Sequence, residues 1–311
     1  MSQSHLILSF GSVNIDVTAR GRRLPTPGET VHADSYTIGL GGKGANQAAA
    51  AARMGAAFSI QSALAGRIGA DTFGAQARQS LGTFGVELAA LKTDENAATG
   101  LALIGIDAQA ENCITVIGGA NLRVSEHDVQ DAERLFARTA TLLLQLEVPI
   151  SAVLAAARRG RQAQARVILD PAPAPTDPLP DELWPLIDIV TPNETETAAL
   201  CGILPKSQED AEAATRLLLE RGAQAAIVKM GARGVYWRTH TSKGFVPPFP
   251  VKAIDSVGAG DCFNAGLAVA LTAGRSFEDA VRVAAACGAL AVTRQGAAEA
   301  APEWSEVAAL L

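Results

Sequence analysis

The sequence predicts an α/β domain: a mostly parallel sheet flanked by helices, with a small β lid. Three observations predict it. From Thr141 onward, short apolar runs alternate with helix-patterned segments, the rhythm of a parallel sheet covered by helices. Two stretches on the N-terminal side, about 12–41 and 97–119, break that rhythm and read as the lid. The chain has 311 residues, 48% of them hydrophobic, which is enough for a sizeable core and too apolar for a disordered chain.

"LILSF" (Leu6–Phe10) is a short apolar run ending at Gly11, as a buried strand would. A polar stretch punctuated by Pro and Gly follows, through "RRLPTPGET". "ANQAAAAARMG" (Ala45–Gly55) has strong helix-former composition, with Gly55 at the expected C-cap. "TGLALIGID" and "NCITVIGG" read as a hairpin around "AQAE". Then come "TLLLQLE", the helical "ISAVLAAARRGRQ", "ARVILD", "LIDIVTPNE" leading into "TETAALCG", and "EDAEAATRLLLERG" before "AAIVKMG". Two long Ala-rich helices, Asp261–Ala273 and Phe277–Thr293, are expected near the end. No internal repeat, low-complexity tract or linker interrupts residues 1–311, so a single domain is expected.

The net charge of -6 comes with no basic run, which argues against a nucleic-acid surface. A local phosphate site is still compatible with that charge. Four cysteines without C-x-x-C spacing and four histidines without H-x-x-x-H give neither a disulfide framework nor a zinc cluster. The N-terminal "MSQSHLILSFGSVNID" lacks a basic region and does not read as a signal peptide. No apolar run approaches membrane-spanning length. A soluble cytoplasmic protein is expected.

Open α/β sheets bind ligands outside the carboxyl ends of their strands. Three candidate segments there are "GSVNID" (Gly11–Asp16), "TPNETE" (Thr191–Glu196) and "DSVGAGD" (Asp255–Asp261). In the last, Gly258, Ala259 and Gly260 leave their N–H groups open at the start of a helix, where phosphate oxygens bind well. Asp261 then has two readings: a plain N-cap, or a base beside the bound phosphate. "GLGGKGANQ" (Gly39–Gln47) matches G-x-G-x-x-G, but no acidic residue follows about 20 positions on, as a dinucleotide site would need. What is left is a Gly-rich turn bringing Lys43 and Asn46 to a helix start, or an ordinary turn with a solvated Lys. Asn14 and Asp16 have period-two spacing and suit a polyol, although an Asx turn explains either alone. Asn193 and Glu196, at i and i+3, suit a hydrated Mg²⁺ or a capping pattern.

Taken together, "GSVNID", "PTPGET", "GGKGANQAAAAARMGA", "GADTFG", "GGAN", "LLLQLE", "TPNETE", "DSVGAGDCFNAG" and "AVTRQGA" occur in the order and at about the spacing of one family. The chain resembles the PfkB-type carbohydrate kinases over nearly its whole length, and "GGKGANQA" with "LLLQLE" resembles their ribokinase branch. The resemblance implies a ribokinase-like three-layer sandwich with a central mostly parallel sheet and a small β lid. It implies ATP-dependent phosphorylation of D-ribose at the 5-hydroxyl, with Mg²⁺ and a monovalent cation activator such as K⁺, in a homodimer formed through the lid. By position it makes Asp261 the catalytic base and Gly258, Ala259 and Gly260 the anion hole. Asn14, Asp16, Gly42, Lys43, Asn46 and Glu147 become sugar contacts. Lys229, Met230, Gly231, Ala232, Arg233 and Gly234, with Asn193 and Gly260, become the nucleotide site, and Asn193 and Glu196 stand near Mg²⁺. Asp255, Val257, Ala291, Arg294, Gly296 and Ala300 become the cation loop, largely through backbone carbonyls.

Three positions depart from the family pattern. Ser256 replaces the usual Thr and keeps the hydroxyl. Ala300 replaces a Ser that helps bind the cation, and Ala285 replaces an Asn or His near the adenine. Other readings are a related kinase for 2-deoxyribose, another pentose or a nucleoside, and a non-catalytic sugar-binding regulator. The intact "GAGD" speaks against the regulator. An NAD-dependent oxidoreductase is supported only by G-x-G-x-x-G.

Overall fold

The computed structural model of the protein describes residues 5–109 and 111–311. Met1–Ser4 of the N-terminal reading and Ala110 in the turn of the expected hairpin lie outside those residues. The strands are β1 (Leu6–Phe10), β2 (Asn14–Gly21), β3 (Ala33–Gly41), β4 (Gln61–Gly69), β5 (Glu87–Asp94), β6 (Gly100–Ile106), β7 (Asn112–Ile117), β8 (Thr139–Leu144), β9 (Arg166–Leu169), β10 (Ile189–Val190), β11 (Ala225–Lys229), β12 (Val235–Thr239) and β13 (Lys243–Val246).

Nine of them form one sheet in the order β13-β12-β11-β10-β9-β8-β1-β4-β5. Every pairing from β11 to β5 is parallel; β12 and β13 are added antiparallel at one edge. The central strands are buried on both faces, which is why they read as unbroken apolar runs. Leu6, Leu8 and Phe10 of β1, Leu142 and Leu144 of β8, and Val167 and Leu169 of β9 face one helical layer, which includes the helix Ile150–Gln162. Ile7, Leu143 and Ile168 point the other way, onto the layer of Lys43–Gly55, Ala259–Thr272 and Phe277–Ala291. The period of two in a strand produces this split.

The second sheet has four strands in the order β3-β2-β6-β7. β2 pairs antiparallel with β3 and parallel with β6, and β6 pairs antiparallel with β7. Residues in direct register share a face, so Asp16, Ala102 and Val116 lie on one side. Ile38, Val17 and Leu103 lie on the other.

Several local expectations need correction. The helix expected from Ala45 begins at Lys43 and runs through Gly55, which is in right-handed helical conformation rather than a left-handed cap. A Cβ at Gly55 would meet the Ile60 carbonyl oxygen at 3.0 Å, so the glycine answers to packing, and Ser59 (φ 55°) takes the left-handed turn instead. The segment "DSVGAGD" does not end a strand: residues 247–258 leave β13 as irregular chain before the helix starts at Ala259.

Candidate active site

The carboxyl end of the large sheet and one face of the small sheet enclose a cavity of about 1050 Å³. Asp16 of β2, with Ala102, Ile104, Ile114 and Val116 of β6 and β7, forms its roof. The start of the helix Lys43–Gly55 supplies Gly42, Lys43 and Asn46, and the end of β8 supplies Glu147. Gly42 (φ 85°) is where the chain turns from β3 into that helix, and a Cβ there would lie 2.6 Å from the Asn14 nitrogen. Only glycine permits that approach.

The polar side chains at this end are held by one another. Asn14 Oδ1 accepts from Asn121 Nδ2 (2.7 Å), which leaves its own amide free to donate. Glu147 accepts from Ser12 Oγ and from the Lys43 backbone N–H (2.9 Å). Burial, aided by the charges of Glu147, Asp261 and Glu299, pushes the Asp16 carboxyl up to about 7. Burial alone would lower the Lys43 ammonium, but Asp261, Asp170, Glu147 and Glu196 outweigh it and hold the group well above its ordinary value.

At the other end, Gly258 (φ 73°) precedes the helix Ala259–Thr272. A Cβ at Gly258 would lie 2.7 Å from the Ala297 Cα, so the left-handed turn and the space both demand glycine. Asp261 therefore stands inside the first turn and is not the N-cap; the capping reading is corrected here. Its buried carboxylate accepts from side chains, Asn46 Nδ2 on Oδ2 (2.9 Å) and Gln47 Nε2 on Oδ1 (3.0 Å). Burial pushes it up to about 6, with Lys43 pulling the other way. The Ala259 N–H is directed at the Ser256 oxygen (3.3 Å), while the open N-terminus and its dipole face the cavity.

Asn193 and Glu196 make a reciprocal capping box at the start of Glu194–Cys201. The Asn193 N–H donates to Glu196 Oε2 (2.7 Å), and the Glu196 N–H donates to Asn193 Oδ1 (2.9 Å). Both residues also line the cavity. Among the described residues no group of three or more His, Cys, Asp or Glu side chains is placed to enclose a metal ion. Lys229, Gly231, Ala232 and Gly234 line the cavity beside Val257. Met230 is buried under β12 with Tyr236 and faces away, while Arg233 pairs with Glu194, which itself lines the cavity.

Asp255 lies behind the Gly258 turn. Its Oδ1 accepts from the Val257 N–H (3.0 Å) and its Oδ2 from the Gly296 N–H (3.4 Å). Arg294 turns to Glu306, Ala291 is buried, and Ala300 contributes a buried methyl group to the core. Residues missed by the sequence reading include Asp170, whose carboxylate lines the cavity and pairs with Lys229 Nζ (3.2 Å). A carboxylate closing the strand "VILD" was the available signal. The apolar wall from Pro247 to Val251 carried none.

The family model described as pfkB family carbohydrate kinase matches residues 4–304.

The chain belongs to that family.

Among its pfkB relatives, the ribokinase of Haemophilus influenzae is 37% identical over 96% of this chain and 95% of its own length. A deoxyribokinase of Salmonella typhi is 32% identical over 93% of both chains. The Arabidopsis thaliana ribokinase structure, complexed with ribose and ATP, covers 98% of this chain and 97% of its own, with a TM-score of 0.90 at 33% identity. This pfkB kinase thus shares fold and layout with sugar kinases over its full described length. No described helix is long and apolar enough to cross a membrane.

Proposed function

We propose that the protein is a ribokinase, transferring the terminal phosphoryl group of ATP to the 5-hydroxyl of D-ribose. One observation carries the reading. Asp261 heads the open helix N-terminus at Gly258–Gly260 and shares its cavity with Asn14, Asp16, Lys43, Asn46 and Glu147. A base, an anion-binding turn and a set of polyol-type partners therefore meet in one place.

Phosphoryl transfer asks a protein mainly for positioning and charge stabilisation. Asp16 accepts from sugar hydroxyls, while Asn14 and Asn46 hold them through their amides. Asp261 takes the proton of the attacking hydroxyl. Its raised affinity for protons, near 6, makes it a stronger base than a free carboxylate while leaving it ionised above neutrality. The N–H groups of Gly258 and Gly260 and the Lys229 ammonium face the transferring charge, whereas the Ala259 N–H is taken by the Ser256 carbonyl. The four-stranded sheet acts as a lid, its Ala102, Ile104, Ile114 and Val116 covering the sugar and excluding water.

Asn193 and Glu196 both line the cavity but turn their amide and carboxylate edges to each other, so they would hold Mg²⁺ through its waters rather than by a free carboxylate. Mg²⁺ bound there neutralises phosphate charge. A monovalent cation such as K⁺ would be held behind the turn by Asp255, whose two oxygens already take the Val257 and Gly296 N–H groups, with the carbonyls of Val257, Ala291 and Gly296; Ala300 and the Arg294 side chain would not contribute. Tyr36, Ile38 and Leu103 stay exposed on the outer face of the lid (71%, 42% and 45%), which supports a homodimer through that face. Free thiols at Cys113, Cys201, Cys262 and Cys287 and the use of ATP fit the cytoplasm.

The deoxyribokinase relative makes 2-deoxyribose the rival substrate. ADP release measured across ribose, 2-deoxyribose, other pentoses and nucleosides tests the reading. Ribose should give the highest kcat/KM, and a higher value for any other acceptor overturns it.

A further inference from the structure

Gln47 is fully buried and lies one residue beyond the sugar-facing Asn46, behind the cavity wall. Its Nε2 donates to two carboxylates at once: Asp261 Oδ1 (3.0 Å) and Asp170 Oδ2 (3.0 Å). An amide has two N–H donors and one oxygen, so this arrangement uses both donors and leaves the oxygen to be satisfied. Gln145 Nε2 satisfies it, donating to Gln47 Oε1 at 2.7 Å. The orientation of Gln145 is fixed in turn. Its Nε2 also reaches Ser9 Oγ (3.3 Å), and Ser9 Oγ spends its proton on the Gly44 carbonyl (2.9 Å). Two carboxylate acceptors on Nε2 and the Gln145 donor on Oε1 set which edge Gln47 presents to Asp261, while Gln145 Oε1 is itself buried without a partner.

We propose that Gln47 is a positioning residue for phosphoryl transfer, holding one oxygen of Asp261 by an amide that Gln145 locks, and separating it from Asp170. The proposal rests on Asp261 being the base. Without Gln47, two buried carboxylates would face each other with no donor between them. Asp170 keeps Lys229 Nζ as its other partner (3.2 Å), and a Cβ built on Gly260 would lie 3.6 Å from that same nitrogen. One amide therefore ties the base to the carboxylate that holds the ammonium beside the anion-binding turn. Proton acceptance and charge stabilisation are kept in register by the same side chain. Gln47 touches no substrate, so it acts on how Asp261 is aimed and how readily it ionises.

The charged groups facing Asp261 are Lys43 from the start of the helix Lys43–Gly55, Asp170 from the end of β9 and Asp16 from β2, with Lys229 from the end of β11 held on the far side of Asp170. None of them replaces the lost donor, because Lys43 is already shared among several carboxylates. Removing a hydrogen bond to the ionised form disfavours ionisation, so the acid limb of the rate profile moves to higher pH.

The test is Gln47→Met, which keeps length and volume and removes both donations. The acid limb of kcat/KM should move up by about one pH unit, and kcat on the alkaline plateau should fall about 10–100-fold, the range of a misaimed base. The sugar KM should stay within about three-fold, since loss of an unmade contact to substrate costs no binding. An unmoved limb with wild-type kcat overturns the proposal. Gln47→Leu provides the same test should the first variant fail to fold: it too removes both donations, so the limb should again move up, and an unmoved limb is again fatal. Asp261→Asn separates the two levels of the argument. If it keeps most turnover, the base reading fails; if it loses turnover while both glutamine variants match wild type, only the positioning role fails.

Discussion

Lowering the pH from 8 to 5 should stabilise the ligand-free protein and at the same time shut down its chemistry. Both effects come from the same two side chains. Burial raises Asp261 from 3.8 to about 6 and Asp16 from 3.8 to about 7. In each case the folded state binds its proton more tightly than the unfolded chain does. Between pH 4 and pH 8 the native state thus carries more protons, and stability falls as pH rises. One pKa unit is worth about 1.4 kcal/mol, so the separate shifts correspond to roughly 3 and 4 kcal/mol. The two carboxylates repel each other, and the first proton relieves part of what the second would, so the joint effect should be smaller, about 2–4 kcal/mol. For a chain of this size that is a Tm higher by roughly 3–6 °C at pH 5 than at pH 8.

The window isolates these groups. Asp94, held down to about 2 by the Asn96 N–H, Arg123 and Arg67, stays ionised in both folded and unfolded chains above pH 5. Its stabilising contribution is lost only when the pH falls below about 4. Glu196, raised mainly by burial, acts in the same direction as Asp16 and Asp261. Activity runs the opposite way: at pH 5 only about a tenth of Asp261 is ionised, and kcat/KM should fall at least ten-fold from its value at pH 8. Thermal melts and coupled ADP-release assays at constant ionic strength measure both. A Tm that is flat, or that rises from pH 5 to pH 8, would refute the claim that burial of these carboxylates outweighs the neutralising charge of Lys43.

Gly258→Ala adds a Cβ at φ 73° against the Ala297 backbone; displacing the anion-binding turn by even about 1 Å should cost about 10²-fold in kcat/KM, with a lower Tm as the accompanying readout. Asp16→Ala should raise the sugar KM about 10–150-fold, the equivalent of one charged hydrogen bond at roughly 1.5–3 kcal/mol, with the ATP KM unchanged; a raised ATP KM and an unchanged sugar KM would move Asp16 out of the sugar site. Rates in K⁺, Na⁺ and Tris at equal ionic strength should favour K⁺, and Asp255→Ala should erase the difference. Equal rates in all three for the wild type would reduce Asp255 to tying the Val257 and Gly296 N–H groups together.

The large sheet was legible because its strands are buried on both faces and so read as solid apolar runs, as in "LILSF", "TLLL" and "RVIL". The small sheet was legible mainly as a break in that rhythm: β2 and β3 are half-exposed and polar, and nothing local announces that β2 pairs parallel with β6, far along the chain. Asp261 shows the limit most clearly. Composition left it open between a cap and a base, because Asp before an apolar helix is often a cap. The helix instead starts at Ala259, and the partners of Asp261 are Asn46 and Gln47, more than 200 positions away. No local pattern encodes a contact of that separation. Gln47 and Gln145 were hidden for the same reason: their partners lie about 100 positions or more away.

The electrostatics of the cavity explain why a neutral sugar and a metal-bearing nucleotide suit it together. Asp16, Glu147, Asp170, Glu196 and Asp261 converge on the same space as only two ammonium groups, Lys43 and Lys229. A low-dielectric site with that balance repels a bare triphosphate. Two features offset the repulsion at one end only: the open N-terminus at Gly258–Gly260, which attracts anions through its N–H groups, and Lys229, which Asp170 holds beside it. The acidic excess at the Glu196 edge favours a hydrated divalent cation, which also neutralises phosphate. The sugar end keeps its negative charge, and that is what a base and a hydroxyl-binding carboxylate require. Anion donors gathered at the Gly258–Gly260 turn and Lys229, and hydroxyl acceptors at Asp16 and Glu147, are the layout that the proposed transfer uses: the phosphoryl group on one side, the sugar on the other.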